Sequence, residues 1–94
     1  MEIKVGKIRI PKGNEVFGLV EAMLGAGRSR VRCQDNKIRI CRVPGRLRRK
    51  MWIKENCIVI VEPWKIQGDS RGDIIWKYTN AQIASLRRKK LLNL

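Results

Sequence analysis

The sequence predicts an all-β core, a small five-stranded barrel closed by one C-terminal α-helix. Three observations predict it. Apolar residues recur at a period of two, or in short unbroken runs, in five segments separated by Gly, Pro and Asn/Asp punctuation, which is how strands and turns are written. One segment near the C-terminus carries helical periodicity behind a capping signal. A chain of 94 residues, 44% of them hydrophobic, suits one domain with a modest core and is too apolar for wholesale disorder.

Residues 1–13 read as a flexible N-terminal arm: Ile3, Val5, Ile8 and Ile10 give a little apolar content, and Pro11-Lys12-Gly13 breaks it off. A first strand is expected from Glu15 to Leu24, with Gly18 inside it marking a bend or bulge of the kind a small barrel needs at its corners. Gly25-Ala26-Gly27 reads as a turn. Val31 and Cys33 then alternate with Arg30, Arg32 and Gln34, and Ile38 and Ile40 alternate with Lys37 and Arg39, on either side of Asp35-Asn36. A two-residue hairpin loop at Asp35-Asn36 pairs Val31 with Ile40 and Cys33 with Ile38 on the core side. It sets Arg32 against Arg39 on the opposite face, with Arg30 and Lys37 beside them.

Pro44-Gly45 ends the third strand. Arg46 to Met51 is expected to form a turn or two of helix, Leu47 and Met51 on one side and the basic groups splayed outward. Cys57 to Val61 is an unbroken apolar run suited to a buried central strand, stopped by Pro63. A loop follows, with Trp64 at its start, and Asp73 to Tyr78 forms the last strand, Ile74, Trp76 and Tyr78 on one face and Ile75 and Lys77 on the other. Thr79-Asn80-Ala81-Gln82 matches a capping box, so a helix runs from about Asn80 to Lys90 with Ile83 and Leu86 on its apolar stripe. Arg87, Arg88, Lys89 and Lys90 fall in its last turns, where the helix dipole favours cations. The expected division is an arm over 1–13, a barrel over 14–79 and a C-terminal helical segment over 80–94 packed on or beside it. Five short strands, a basic connector after the third and a closing helix fit an S1-like Greek-key barrel of the oligonucleotide-binding (OB) type, whose second and third strands form the usual ligand face.

Charge sets the function class. The chain has 22 Lys and Arg against 8 Asp and Glu, a formal charge of +14. Eleven of the cations lie between Arg28 and Lys54, where Asp35 is the only acid, and four sit in the run Arg46-Leu47-Arg48-Arg49-Lys50. Like charges opposed across a strand pair destabilise it, so a polyanion is the natural partner, nucleic acid before a membrane surface. The candidate RNA-binding residues are Arg28, Arg30, Arg32, Lys37, Arg39, Arg46, Arg48, Arg49, Lys50 and Trp52. Trp52, between Lys50 and Lys54, either stacks on a splayed base or plugs the end of the barrel.

Cys33, Cys41 and Cys57 are odd in number, without a CxxC pair, and the chain has no histidine. That excludes a disulfide framework or a zinc site of ordinary spacing and leaves three reduced thiols in or near the core. No metal and no cofactor are expected. Without His, a carboxylate pair, a nucleophile–base set or a phosphate-loop glycine pattern, the chain does not read as an enzyme. No apolar run reaches the roughly 18 residues of a spanning helix, and Met1 to Ile10 holds no signal-peptide segment, so a cytoplasmic monomer with no membrane association is expected.

Several segments resemble the translation initiation factor 1A family of archaea and eukaryotes: Met23-Leu24-Gly25-Ala26-Gly27-Arg28, then Gly45-Arg46-Leu47-Arg48-Arg49-Lys50-Met51-Trp52-Ile53, and Asp73-Ile74-Ile75-Trp76-Lys77-Tyr78 with the start of the following helix. The likeness runs from about Lys12 to Leu92, and the second segment is its specific part. Without a long acidic tail or a highly basic N-terminal extension, the sequence resembles the archaeal members, and an archaeal type is expected. The resemblance implies a factor that binds the small ribosomal subunit at the A site, contacts decoding-region rRNA, and helps initiator tRNA and mRNA to bind, working with other initiation factors. It also implies that the family's rRNA contacts fall on Arg28, Arg46, Arg48, Arg49, Lys50 and Trp52. Two other functions compete. One is a general single-stranded nucleic-acid-binding protein or RNA chaperone, against which the scarcity of aromatics argues. The other is a protein-interaction module using the helix stripe with Leu91, Leu92 and Leu94.

Overall fold

The computed structural model describes residues 8–94, so residues 1–7 of the N-terminal arm lie outside the described residues. Five strands, β1 (Val16–Gly25), β2 (Arg28–Cys33), β3 (Ile38–Arg42), β4 (Ile58–Pro63) and β5 (Arg71–Lys77), precede one helix, α1 (Asn80–Arg88). They close into a barrel in the order β1-β2-β3-β5-β4, with β3 and β5 parallel and every other pair antiparallel. The sequence-predicted fold class is the observed one.

Two apolar clusters hold the fold. The lumen takes a residue or two from every strand: Val20, Val31, Cys33, Cys41, Val59, Val61 and Ile74. The second cluster lies outside the sheet, where Phe17, Ile58, Ile60, Ile75 and Tyr78 meet Leu86 of α1 and Leu92 beyond it. β4 belongs to both, Val59 and Val61 facing the lumen while Ile58 and Ile60 face the helix, which is why its sequence is an unbroken apolar run. Gly18 stands where the lumen leaves no room for a side chain. A Cβ there would lie 2.5 Å from Val31 Cγ1 and 3.1 Å from Val61 Cγ2. β1 bends over its neighbours because no side chain intervenes.

The β1–β2 turn has Ala26 and Gly27 at φ 53° and 72°, the paired positive values of a type I′ hairpin. The β2–β3 turn departs from expectation. Its loop has three residues, Gln34, Asp35 and Asn36, closed by Cys33 N–H to Lys37 C=O (2.8 Å), with Asn36 at φ 69°. This is the three-residue hairpin with a left-handed third position. Pairing slips by one residue against the expected register, so Arg30 faces Ile40, Val31 faces Arg39 and Arg32 faces Ile38. Because side chains alternate faces, the slip turns the whole of β3 over. Ile38 points out, 53% exposed, and Arg39 points in, 2% exposed. The expected Arg32–Arg39 opposition does not exist.

A buried guanidinium requires partners for its charge and its donors. Arg39 has both. Nη1 and Nη2 donate to Asp35 Oδ1 and Oδ2 at 3.0 and 2.8 Å, and Nε donates to the Gly68 carbonyl at 2.5 Å. The side chain thereby ties the β2–β3 turn to the β4–β5 loop and closes the barrel end opposite the β1–β2 turn. The fork of Arg39 holds the Asp35 carboxyl below its usual 3.8.

The capping box forms as read: Thr79 Oγ1 accepts the Gln82 N–H at 3.2 Å and Gln82 Oε1 accepts the Thr79 N–H at 3.0 Å. Beyond α1, Gln34 pins the tail by donating to the Leu91 carbonyl and accepting from the Asn93 N–H. Alternation along β5 breaks at a register shift, Ile60 pairing with Trp76 and Val61 with Ile74. Ile75 is the extra residue, so Ile74 enters the lumen while Ile75, Trp76 and Tyr78 join the outer cluster, correcting the expected faces. At the described end of the arm, Ile8 packs on that cluster and the Arg9 carbonyl accepts the Tyr78 hydroxyl. The three thiols are free, Cys33 and Cys41 buried in the lumen. Burial pushes Cys41 up to about 12, which leaves it inert at neutral pH.

Gly18→Ala should lower unfolding stability by about 2–3 kcal/mol, the upper part of the range for overpacking. An unchanged urea midpoint would show that the lumen has slack. Asp35→Ala should cost about 3 kcal/mol, the low end for stranding a buried charge, since Asp35 itself is 31% exposed. The wild-type ion pair contributes fully above pH 3.8, the unfolded carboxyl's value, and its contribution is lost as the pH falls through the lower folded value. Acid titrations of stability should therefore converge for the two proteins in that window.

Candidate nucleic-acid interface

The connector between β3 and β4 is built on an apolar floor. Val43, Ile53 and Cys57 pack against the lumen cluster and Leu47 against the outer one, so the segment caps the barrel end that carries the β1–β2 turn. It holds a single 3₁₀ turn, Gly45–Leu47, with no side-chain cap at Pro44. Of the turn or two of helix expected over Arg46 to Met51, the structure has this one 3₁₀ turn, and no α-helix follows it. Four near-adjacent cations with no acid to offset them, behind a Pro-Gly pair, give a helix nothing to propagate on.

What the floor leaves outside is the basic run. Arg46, Arg48, Arg49, Lys50, Lys54 and Trp52 are all exposed, Trp52 at 79%. The Lys77 ammonium donates to the Trp52 carbonyl at 2.7 Å and fastens the connector to β5. Arg48 Nε reaches back to the Val43 carbonyl at 3.4 Å, and its Nη2 would lie 3.7 Å from a Cβ on Gly27. Arg28, beside that glycine in the β1–β2 turn, therefore joins the same end of the molecule. Among the described residues, none of Arg28, Arg46, Arg48, Arg49, Lys50 and Lys54 has a carboxylate within ion-pair distance.

The barrel wall is different. Outward positions of β2, β3 and β5 line up as Arg28, Arg42 and Asp73, then Arg30, Ile40 and Arg71, then Arg32 and Ile38. Here Arg30, Arg32, Lys37 and Arg42 have acids, while Arg28 and Arg71 have none within ion-pair distance among the described residues. Glu21, carried over by a bulge in β1, lies 3.6 Å from Arg30 and 3.1 Å from Arg32. Asp69 of the β4–β5 loop takes Lys37 at 2.6 Å, and Asp73 lies 3.7 Å from Arg42. The expectation of a face without acid fails because those carboxylates come from elements outside the hairpin. These pairs are half-exposed and therefore weak; the cations stay available, but they do not demand an external partner.

The ten predicted residues thus divide. Arg28, Arg46, Arg48, Arg49, Lys50 and Trp52 gather at the connector end; Arg30, Arg32 and Lys37 lie on the compensated wall; Arg39 is withdrawn inside. Two residues escaped the sequence reading. Lys54 belongs with the connector cations, which its place beside Trp52 signals. Arg42 stacks 5.2 Å over the Trp64 ring, whose Nε1 donates to Asp73 at 3.0 Å; only the parallel β3–β5 pairing brings these together, and no local pattern announces it.

A closed five-stranded barrel with one uncompensated basic end is an OB-fold protein of the RNA-binding class. The sequence profile of "Translation initiation factor 1A / IF-1" matches residues 6–93. The chain is 52% identical over 86 residues to translation initiation factor 1A of Pyrococcus abyssi, spanning 92% of this chain and 76% of that one. With its counterpart from Archaeoglobus fulgidus it shares 50% over 93 residues, 97% and 95% of the two chains. A solved structure of translation initiation factor IF-1 from the Wolbachia endosymbiont of Brugia malayi superposes at a TM-score of 0.56 with 31% identity, covering 77% of this chain and 85% of that one. The chain belongs to the translation initiation factor 1A family, whose members are non-enzymatic RNA-binding factors.

At 79% exposure Trp52 does not plug the barrel; Val43 and Ile53 pack against the lumen cluster there instead. Trp52→Ala should leave the urea midpoint within about 0.5 kcal/mol of wild type, as for surface positions generally. A loss of several kcal/mol would mean the indole packs after all.

Proposed function

We propose that this chain is a translation initiation factor that binds the small ribosomal subunit at the A site through rRNA contacts and promotes initiator tRNA and mRNA binding there. It acts in the cytoplasm alongside other initiation factors. The observation that carries the reading is the connector end of the barrel: six cations, none ion-paired to a carboxylate among the described residues, on a floor that prevents their dispersal. Packing such charges together is costly unless phosphates neutralise them. Each neutralised phosphate releases condensed counterions, so association is driven most strongly at low salt. Arginine forks take phosphate oxygens in pairs or stack on bases, and an exposed Trp52 among them offers a ring to a base that leaves its helix.

In this reading Arg46, Arg48, Arg49 and Lys50 hold the rRNA backbone, Arg28 extends the contact across the β1–β2 turn, and Trp52 supplies stacking. Arg30, Arg32 and Lys37 are peripheral, since a phosphate must displace a carboxylate to reach them. Arg39 has no part in RNA binding; its role is the closure of the opposite barrel end.

Binding to purified archaeal small subunits, measured across a salt series, tests this. Changing Arg48, Arg49 and Lys50 together to Ala should weaken binding and lower the slope of log K against log salt by about 2–3, close to one for each phosphate left unneutralised. Arg30→Gln with Arg32→Gln should change it by less than about 1. Trp52→Ala should cost about 1–3 kcal/mol of affinity with the slope unchanged. Equal slope reductions from wall and connector variants would reject the division, and chemical footprints spread over the rRNA without decoding-site protection would favour a general single-stranded binder.

A further inference from the structure

The end of the barrel opposite the connector carries a groove of about 350 Å³ with the opposite chemistry. Its apolar walls are Ile10, Val16, Phe17 and Leu91, and its polar side is Glu15 with Asp35. Ile10 and Leu91 are 44% and 43% exposed at its rim. Among the described residues, no Lys or Arg lines this groove.

The two carboxylates are not equivalent. Asp35 spends both oxygens on Arg39. Glu15 accepts the Lys12 backbone N–H at 3.0 Å through Oε1 and has no cation partner among the described residues. Glu21, Asp35, Asp69 and Asp73 each have one, while Glu15, Glu55 and Glu62 do not; of these three only Glu15 lines this groove, where it sets an unpaired negative charge beside an open apolar surface, available to an external cation. The walls are fixed before any ligand arrives. Gln34 pins Leu91 and Asn93, Lys12 and Glu15 close a short turn, and the Tyr78 hydroxyl holds the Arg9 carbonyl. A preformed concave site with a few placed polar groups binds at low ordering cost.

We infer that this groove is a protein-docking site, taking a partner segment that inserts an aliphatic side chain between Ile10 and Leu91 and sets an adjacent Lys or Arg on Glu15. RNA does not fit it, because phosphate would meet two carboxylates and an apolar floor. The inference stands apart from the ribosomal reading, since the connector and the groove lie at opposite ends of the barrel and share no residue.

Backbone amide NMR of the full chain tests it with two blocked peptides, acetyl-Leu-Leu-Arg-Leu-amide and acetyl-Leu-Leu-Glu-Leu-amide. At 0.15 M salt the Debye length is about 8 Å, so the distant connector cations are screened. The Arg peptide should give saturable shifts at Ile10, Val16, Gln34 and Leu91 at millimolar concentration and bind about tenfold tighter than the Glu peptide. Glu15→Gln keeps an acceptor for the Lys12 N–H and should reduce that preference to threefold or less, leaving small-subunit binding unchanged. Leu91→Ser should weaken both peptides about equally. No saturable shifts, equal binding of both peptides, or a preference that survives Glu15→Gln would overturn the proposal. So would shifts at these amides on adding a single-stranded RNA 12-mer, or on raising protein concentration without peptide, which would assign the groove to RNA or to a second copy.

Discussion

The apolar floor of the connector is the contact on which the rest turns. Val43 and Ile53 against the lumen, and Leu47 against the helix-covered cluster, hold Arg46, Arg48, Arg49 and Lys50 in one place against their mutual repulsion. No internal carboxylate relieves that repulsion among the described residues. Apolar burial is indifferent to sign and can be kept in the free protein, whereas compensation by acids would have to be broken each time RNA binds. The barrel supplies the surface on which the floor rests, and Gly18 allows that barrel to close tightly.

Both ends of the barrel carry arginine, and the contrast between them defines the molecule. At one end Arg39 is buried with Asp35 and the Gly68 carbonyl, and serves only the fold. At the other the guanidinium groups reach solvent with their charge intact. The wall between is intermediate, each of Arg30, Arg32, Lys37 and Arg42 leaning on a half-exposed acid. In the sequence Arg39 stands in the same basic-apolar alternation as Arg30, Arg32 and Lys37, and nothing in that local pattern sets it apart. Compensation is what separates the structural Arg39 from the connector arginines proposed to meet phosphate.

The period-two segments, the capping box at Thr79, the unbroken apolar run of β4 and the glycine turn after β1 were all legible, because each is a local pattern with one physical reading. The connector site was legible as charge density. What the residues hid was register. Asp35-Asn36 suits a two-residue loop as well as the third position of a longer one, and that single residue decides whether Arg39 or Ile38 faces the core. The same ambiguity concealed the acids of the wall: Glu21 arrives by a bulge, Asp73 by a parallel pairing, and neither lies near its cation in sequence. The extra residue at Ile75 misled in the same way. Each error is a tertiary decision written over a local pattern that permits two answers.

Electron cryomicroscopy of the chain on an archaeal small subunit tests the central claim most directly. The account predicts that Arg46, Arg48, Arg49 and Lys50 lie against decoding-region phosphates while the Arg39–Asp35 pair stays closed and distant from RNA. A map in which the β2–β3 wall faces the rRNA and the connector cations point into solvent would contradict it.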